Sequence, residues 1–90
     1  MTAQVSKKSV TNPQSKLFII TFNLKVTDGV VVIDQDFSLE YRPGETIASK
    51  VNEMIGKMQV VLNMYKESQT IFTNPQLDSA VTAVQGGLVL

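Results

Sequence analysis

The feature that most constrains this chain is Asp28-Gly29, which lies between two stretches of alternating apolar residues, LFIITFNLKVT and VVVIDQDFSLEY. Asp-Gly in this setting is typical of a tight hairpin turn, because the favoured turn needs positive φ angles at its centre. A two-residue loop would pair Val26 with Val31. That register makes one face apolar at nine of ten positions, and a slip of one residue would destroy the agreement. The sequence therefore predicts an antiparallel hairpin.

Two helices are predicted after the hairpin. Apolar residues recur at helical spacing from Ile47 to Tyr65, the pattern of an amphipathic helix over about 46–67. Asn74-Pro75 is typical of a helix start, and Gly86-Gly87 of a helix stop, which predicts a second helix over about 75–85. The valines near its end leave a strand as the alternative, and we favour the helix.

The first 16 residues form a basic N-terminal arm, followed by a single small domain over 17–90. One interpretation of the arm is a loosely attached segment. The other is a short edge strand over about Ala3–Val10, laid on the hairpin or on a neighbouring subunit. We favour the first, because the alternation of apolar residues breaks at Lys7-Lys8. The predicted fold class is α+β: a hairpin of strands at about 17–27 and 30–41, packed on the two helices, with the arm as a candidate third strand.

Composition argues against catalysis. The chain has no cysteine and no histidine, which removes common nucleophiles, general bases and zinc ligands. Asp34, Asp36 and Glu40 place carboxylates on one strand face, which we interpret as a solvated acidic face and not as a cation site. We therefore expect no enzyme activity, no metal and no cofactor.

Charge is unevenly distributed although the net charge is zero. Residues 1–25 contain four lysines and no acid, whereas residues 26–90 contain four basic and eight acidic residues. The basic arm (Lys7, Lys8 and Lys16) could therefore lie on the acidic face (Asp34, Asp36 and Glu40) of a neighbouring copy.

Apolar surface remains after the hairpin and helices are packed together. A hairpin has two free edges, and uncovered edges favour pairing with another strand. Gly56 lies in a small, uncharged stripe of the long helix, which is either a neutral surface that happens to hold one glycine or a second contact surface for another helix or subunit. The residues predicted to lie in an oligomer or partner interface are Leu17, Ile19, Val30, Val32, Gly56, Val60, Met64, Leu88 and Leu90.

These features predict a non-catalytic, self-associating structural or assembly protein, a small component of a larger particle such as a virion or a bacterial accessory assembly. Its expected partner is a second copy or another protein of the same assembly. The alternative is a small regulatory module that binds a peptide on the free strand edge, or nucleic acid through the basic arm. No apolar run reaches the roughly 20 residues that span a bilayer, and no secretory signal is recognisable, so we expect a cytoplasmic or particle-associated protein with no membrane partner.

Overall fold

The computed structural model describes all 90 residues, which form three strands and two helices. They are β1 (Thr2–Gln14), β2 (Leu17–Asp28), β3 (Val30–Tyr41), α1 (Ile47–Phe72) and α2 (Pro75–Gly87). The chain divides into two compact units, Met1–Gln59 and Val60–Leu90. The first contains the sheet and the first half of α1, and the second contains the rest of α1 together with α2.

The predicted α+β fold is confirmed, with the arm as its third strand. The sheet is antiparallel with the order β1-β2-β3. The favoured interpretation of the arm as a loose segment is wrong, because β1 pairs with β2 along most of its length. Both helices are present where expected, although α1 ends at Phe72, beyond the predicted 67.

The hairpin register differs from the predicted one by two residues. Val26 pairs with Ile33, not with Val31. The turn has one positive φ angle, at Gly29, whereas the predicted turn needs two. The tighter turn shifts the pairing by one residue, and a β-bulge at Val32 shifts it by one more. Side chains alternate between the two faces of a strand, so a pairing that changes by two residues leaves every side chain on its predicted face. The predicted apolar face is therefore correct.

A second bulge explains the broken alternation in the arm. Ala3, Val5 and Lys7 lie opposite Val26, Leu24 and Phe22, so they share the apolar face of the sheet. The register shifts between Lys7 and Ser9. Lys8 is the extra residue, and after it Val10 returns to the apolar face opposite Ile20. The interruption at Lys7-Lys8 is therefore a bulge inside a strand and not the end of one.

The core lies on this apolar face of the sheet. Val26 is fully buried at 0% exposure, and Leu24, Ile33, Phe37, Leu39 and Met54 are buried with it. Leu17 is buried as well, but it lies at an odd position of β2 and therefore on the opposite face, beside the turn from β1. Met54 is the one buried residue of α1. The first half of α1 is also held at β3, where Lys57 Nζ donates a 3.0 Å hydrogen bond to the carbonyl oxygen of Ser38.

The two helix starts follow from local chemistry. Thr46 Oγ1 accepts a 3.2 Å hydrogen bond from the Ser49 amide, as an N-cap side chain does. Asn74 Oδ1 accepts a 2.9 Å bond from the Gln76 amide, with Pro75 at the first helical position.

Two glycines provide a matched test of backbone strain. A Cβ atom at either Gly29 or Gly56 would meet nothing within 4 Å, but Gly29 has a φ of +77° and Gly56 lies within a helix. Gly29→Ala is expected to lower the free energy of unfolding by about 1–2 kcal/mol. Gly56→Ala is expected to raise it by about 0.5–1 kcal/mol. Urea unfolding of both variants checks this, and shifts of the same sign would contradict it.

Candidate self-association surface

The first unit exposes apolar side chains on α1. Ile47, Val51 and Ile55 recur every four residues and are all exposed, so they form one row along the helix. The sheet therefore does not cover this row of the apolar stripe. Met54, at 6% exposure, is the one buried side chain of α1.

The second unit exposes the whole apolar face of α2. Leu77, Val81 and Val84 recur at intervals of four and three residues along α2, Leu88 follows at its C-cap, and all four are exposed. This is the spacing of a helix seam that packs against another element. No side chain of this 13-residue helix is buried, and an isolated helix shorter than about 12–15 residues is marginal in water. The row from Leu77 to Leu88 is called the α2 seam below.

The predicted interface residues separate into three groups by exposure. Leu17 is only 7% exposed, so it is buried and offers no free surface, which corrects its assignment. It opens β2 beside the turn from β1, where its carbonyl oxygen accepts a 2.6 Å bond from Asn12 Nδ2. Ile19 and Val32 are half-buried. The remaining six are exposed: Val30, Gly56, Val60, Met64, Leu88 and Leu90.

The basic arm contacts the acidic face of its own chain. Lys8 Nζ donates a hydrogen bond to Asp36 Oδ2 and forms an ion pair with it. The bulge places the Lys8 side chain on the outer face of the sheet, where Asp36 of the same chain lies. The contact is therefore intramolecular. Lys7 lies on the apolar face, and Lys16 lies in the β1–β2 turn with a φ of 59°. The three lysines therefore do not form one basic patch.

The carboxylates of the acidic face are positioned by hydrogen bonds and an ion pair within the chain. Asn23 Nδ2 donates to Asp34 Oδ1 at 2.8 Å and to Asp36 Oδ1 at 3.1 Å. Glu40 pairs with Arg42 at 3.0 Å. No group of three or more acidic side chains is gathered as metal ligands would be. These carboxylates are thus positioned by neighbours within the chain.

The Lys8–Asp36 pair predicts an acid-sensitive contact. The hydrogen bond from Lys8, followed by that from Asn23, lowers the pKa of Asp36 below its ordinary value of 3.8. A lowered carboxyl pKa contributes stability above the ordinary value, and this contribution is lost as pH falls through the lowered pKa. Lys8→Ala is expected to raise the pKa of Asp36 towards its ordinary value, as measured by NMR titration. Lys16→Ala is the control and should leave that pKa unchanged; equal shifts would contradict the assignment.

The two sheet edges differ in their protection. β1 contains Lys7, the bulge at Lys8, and Pro13, all features that discourage edge pairing. Of the two free hairpin edges expected from the sequence, that of β2 is covered by β1. β3 is the opposite edge, with Val30 and Val31 exposed at its start.

An apolar groove lies between β1 and the first half of α1. Its volume is about 510 Å³, and its lining includes Val10, Phe22, Ile47, Val51 and Met54. Three lysines also line it, namely Lys7, Lys8 and Lys50. This groove was not anticipated from the sequence, because the hydrophobic pattern does not indicate how much of a sheet face one helix covers.

Comparison of the chain with protein-family models, with curated proteins and with solved structures found no match. Neither helix is long and apolar enough to cross a membrane.

Proposed function

We propose that this chain is a non-catalytic, self-associating structural or assembly protein that works as a small component of a larger particle. The observation that carries the proposal is the exposed α2 seam, a regular apolar row on a helix with no buried side chain.

The energetics of that seam support association. Burying one Val, Leu or Ile side chain contributes about 1.5–3 kcal/mol, and the seam has four such residues. An exposed helix of this length gains little from its own hydrogen bonds. A partner that covers the seam would therefore stabilise the helix and bind through the same contacts.

The exposed row on α1 supports the same conclusion independently. Ile47, Val51 and Ile55 belong to the first unit, whereas the seam belongs to the second. Contiguous exposed apolar surface of this kind is typical of interaction sites.

The native mass of the full chain tests the proposal. Sedimentation equilibrium over a wide concentration range is expected to give a mass that is a multiple of the 9.9 kDa chain, with dissociation on dilution. A mass of one chain at every concentration would overturn the proposal.

A second candidate function rests on the β3 edge. Its start exposes Val30 and Val31, and an extended peptide can add to such an edge as a further strand. In this case the chain would be a regulatory module that binds another protein. Val31→Pro is expected to abolish peptide binding while leaving the native mass unchanged, because proline blocks strand pairing.

A further inference from the structure

We propose that the groove between β1 and α1 receives the α2 seam of a second copy, with Asp78 of one chain facing Lys7 of the other. This inference rests on the proposed self-association and names the surfaces that carry it.

The groove offers one unpaired positive charge on an apolar lining. Of its three lysines, Lys8 is paired with Asp36, and Lys50 is paired with Glu45 at 2.7 Å. Lys7 has no ion-pair partner and lies on the apolar face of the sheet, opposite Phe22. An occupant of this groove should therefore be apolar with one negative charge at its margin.

α2 has the complementary composition. Asp78 is its one charged residue, and it makes no ion pair within the chain. It lies next to Leu77 and one turn before Val81, so it borders the seam. An apolar row with one carboxylate at its margin matches an apolar groove with one ammonium group.

The dimensions set how much of α2 the groove can take. Its β1 wall consists of Lys7, Lys8, Ser9 and Val10 and is about 13 Å long. That length matches about two turns of helix, the stretch of α2 from Leu77 to Val84. Each copy has one groove and one seam, and an occupied groove would cover Ile47 and Val51 of one copy together with the seam of the other.

Cysteine cross-linking tests the pairing directly, because the chain contains no cysteine. A Val10→Cys chain is mixed with a Val81→Cys chain that is lengthened by a tag, so that the mixed pair has its own mass. Oxidation is expected to give mainly the mixed pair. Val89→Cys, in the 97% exposed tail beyond the seam, replaces Val81→Cys in the control and should cross-link less. Equal yields from both mixtures, or a predominance of like pairs, would overturn the proposal.

The doubly substituted chain, Val10→Cys with Val81→Cys, identifies which copy supplies the helix. A covalent dimer is expected. A cross-linked single chain would mean that α2 occupies its own groove, and it would overturn the assignment to a second copy.

Charge exchange tests the Lys7–Asp78 contact. Lys7→Glu and Asp78→Lys are each expected to weaken association up to about fivefold, since an exposed ion pair is a weak interaction. The double variant is expected to restore it. Lys16→Glu is the control with the same change in net charge and should have no effect. Association without cross-links and without charge rescue would refute this inference alone, whereas a single-chain mass for the unmodified protein would refute the proposed function as well.

Discussion

Leu39→Ala is expected to lower the free energy of unfolding by about 2–5 kcal/mol, the usual cost of deleting a buried leucine side chain. Leu39 is 2% exposed and lies opposite Ile20 on the apolar face of the sheet. A domain of this size is stable by only about 5–13 kcal/mol. The substitution should therefore remove a large part of the stability, as measured by urea unfolding at several protein concentrations.

Leu88→Ala is the matched control, because it makes the same chemical change at a residue that is 64% exposed. Its effect should depend on concentration, since any stability it removes comes from association and not from the core of one chain. Leu39→Ala should lower the free energy of unfolding by the same amount at every protein concentration. Equal losses from the two variants, independent of concentration, would contradict the core assignment of Leu39.

Deletion of residues 1–15 is expected to unfold or aggregate the chain. The deletion removes β1 and leaves a two-stranded hairpin, which is marginal in water. It also exposes the edge of β2, which contains a single lysine, Lys25, and no proline. Circular dichroism and light scattering of the truncated chain measure the outcome.

Removal of Leu88–Leu90 is the control for the truncation, because these residues lie beyond α2 and outside the sheet. The strand signal in circular dichroism should survive this change. A truncated chain without residues 1–15 that stayed folded and monomeric would show that β1 is dispensable to the sheet.

For the hairpin, the sequence could predict the apolar face but not the register. The apolar face could be predicted because side chains alternate strictly along a strand, so that parity alone assigns each residue to a face. The register could not, because it depends on the turn geometry at Gly29 and on the bulge at Val32. The predicted and observed pairings differ by an even number of residues, which is why the face was correct and the partners were not.

For the arm, the alternation of apolar residues favoured the wrong interpretation. The break at Lys7-Lys8 argues against a strand when each residue is required to alternate. A bulge inserts one residue into a strand and reverses the parity beyond it. The sequence contains that signal, since Ala3 and Val5 precede the break at odd positions and Val10 follows at an even one. Only pairing with β2 distinguishes a bulge from the end of a strand.

The candidate surface was predicted in part. The apolar positions of α2 follow from its periodicity, as do the exposed residues Val60 and Met64 of α1. The groove beside β1 depends on how much of the sheet face α1 covers, and the contact between Lys8 and Asp36 depends on a bulge. Both result from packing between elements that are distant in sequence.

The sequence by itself determined the two hairpin strands, the two helices, their order and the apolar face of the hairpin, because periodicity, turn residues and helix caps act over a few residues. The tertiary structure decided the partner of the basic arm, the register of both strand pairs and the apolar rows that remain uncovered. These depend on contacts between distant residues, where one inserted residue redirects a side chain to the other face. The position of the Asp28-Gly29 turn follows from the sequence. The bulge at Val32, which only the tertiary structure shows, determines which residues of β2 and β3 pair with each other.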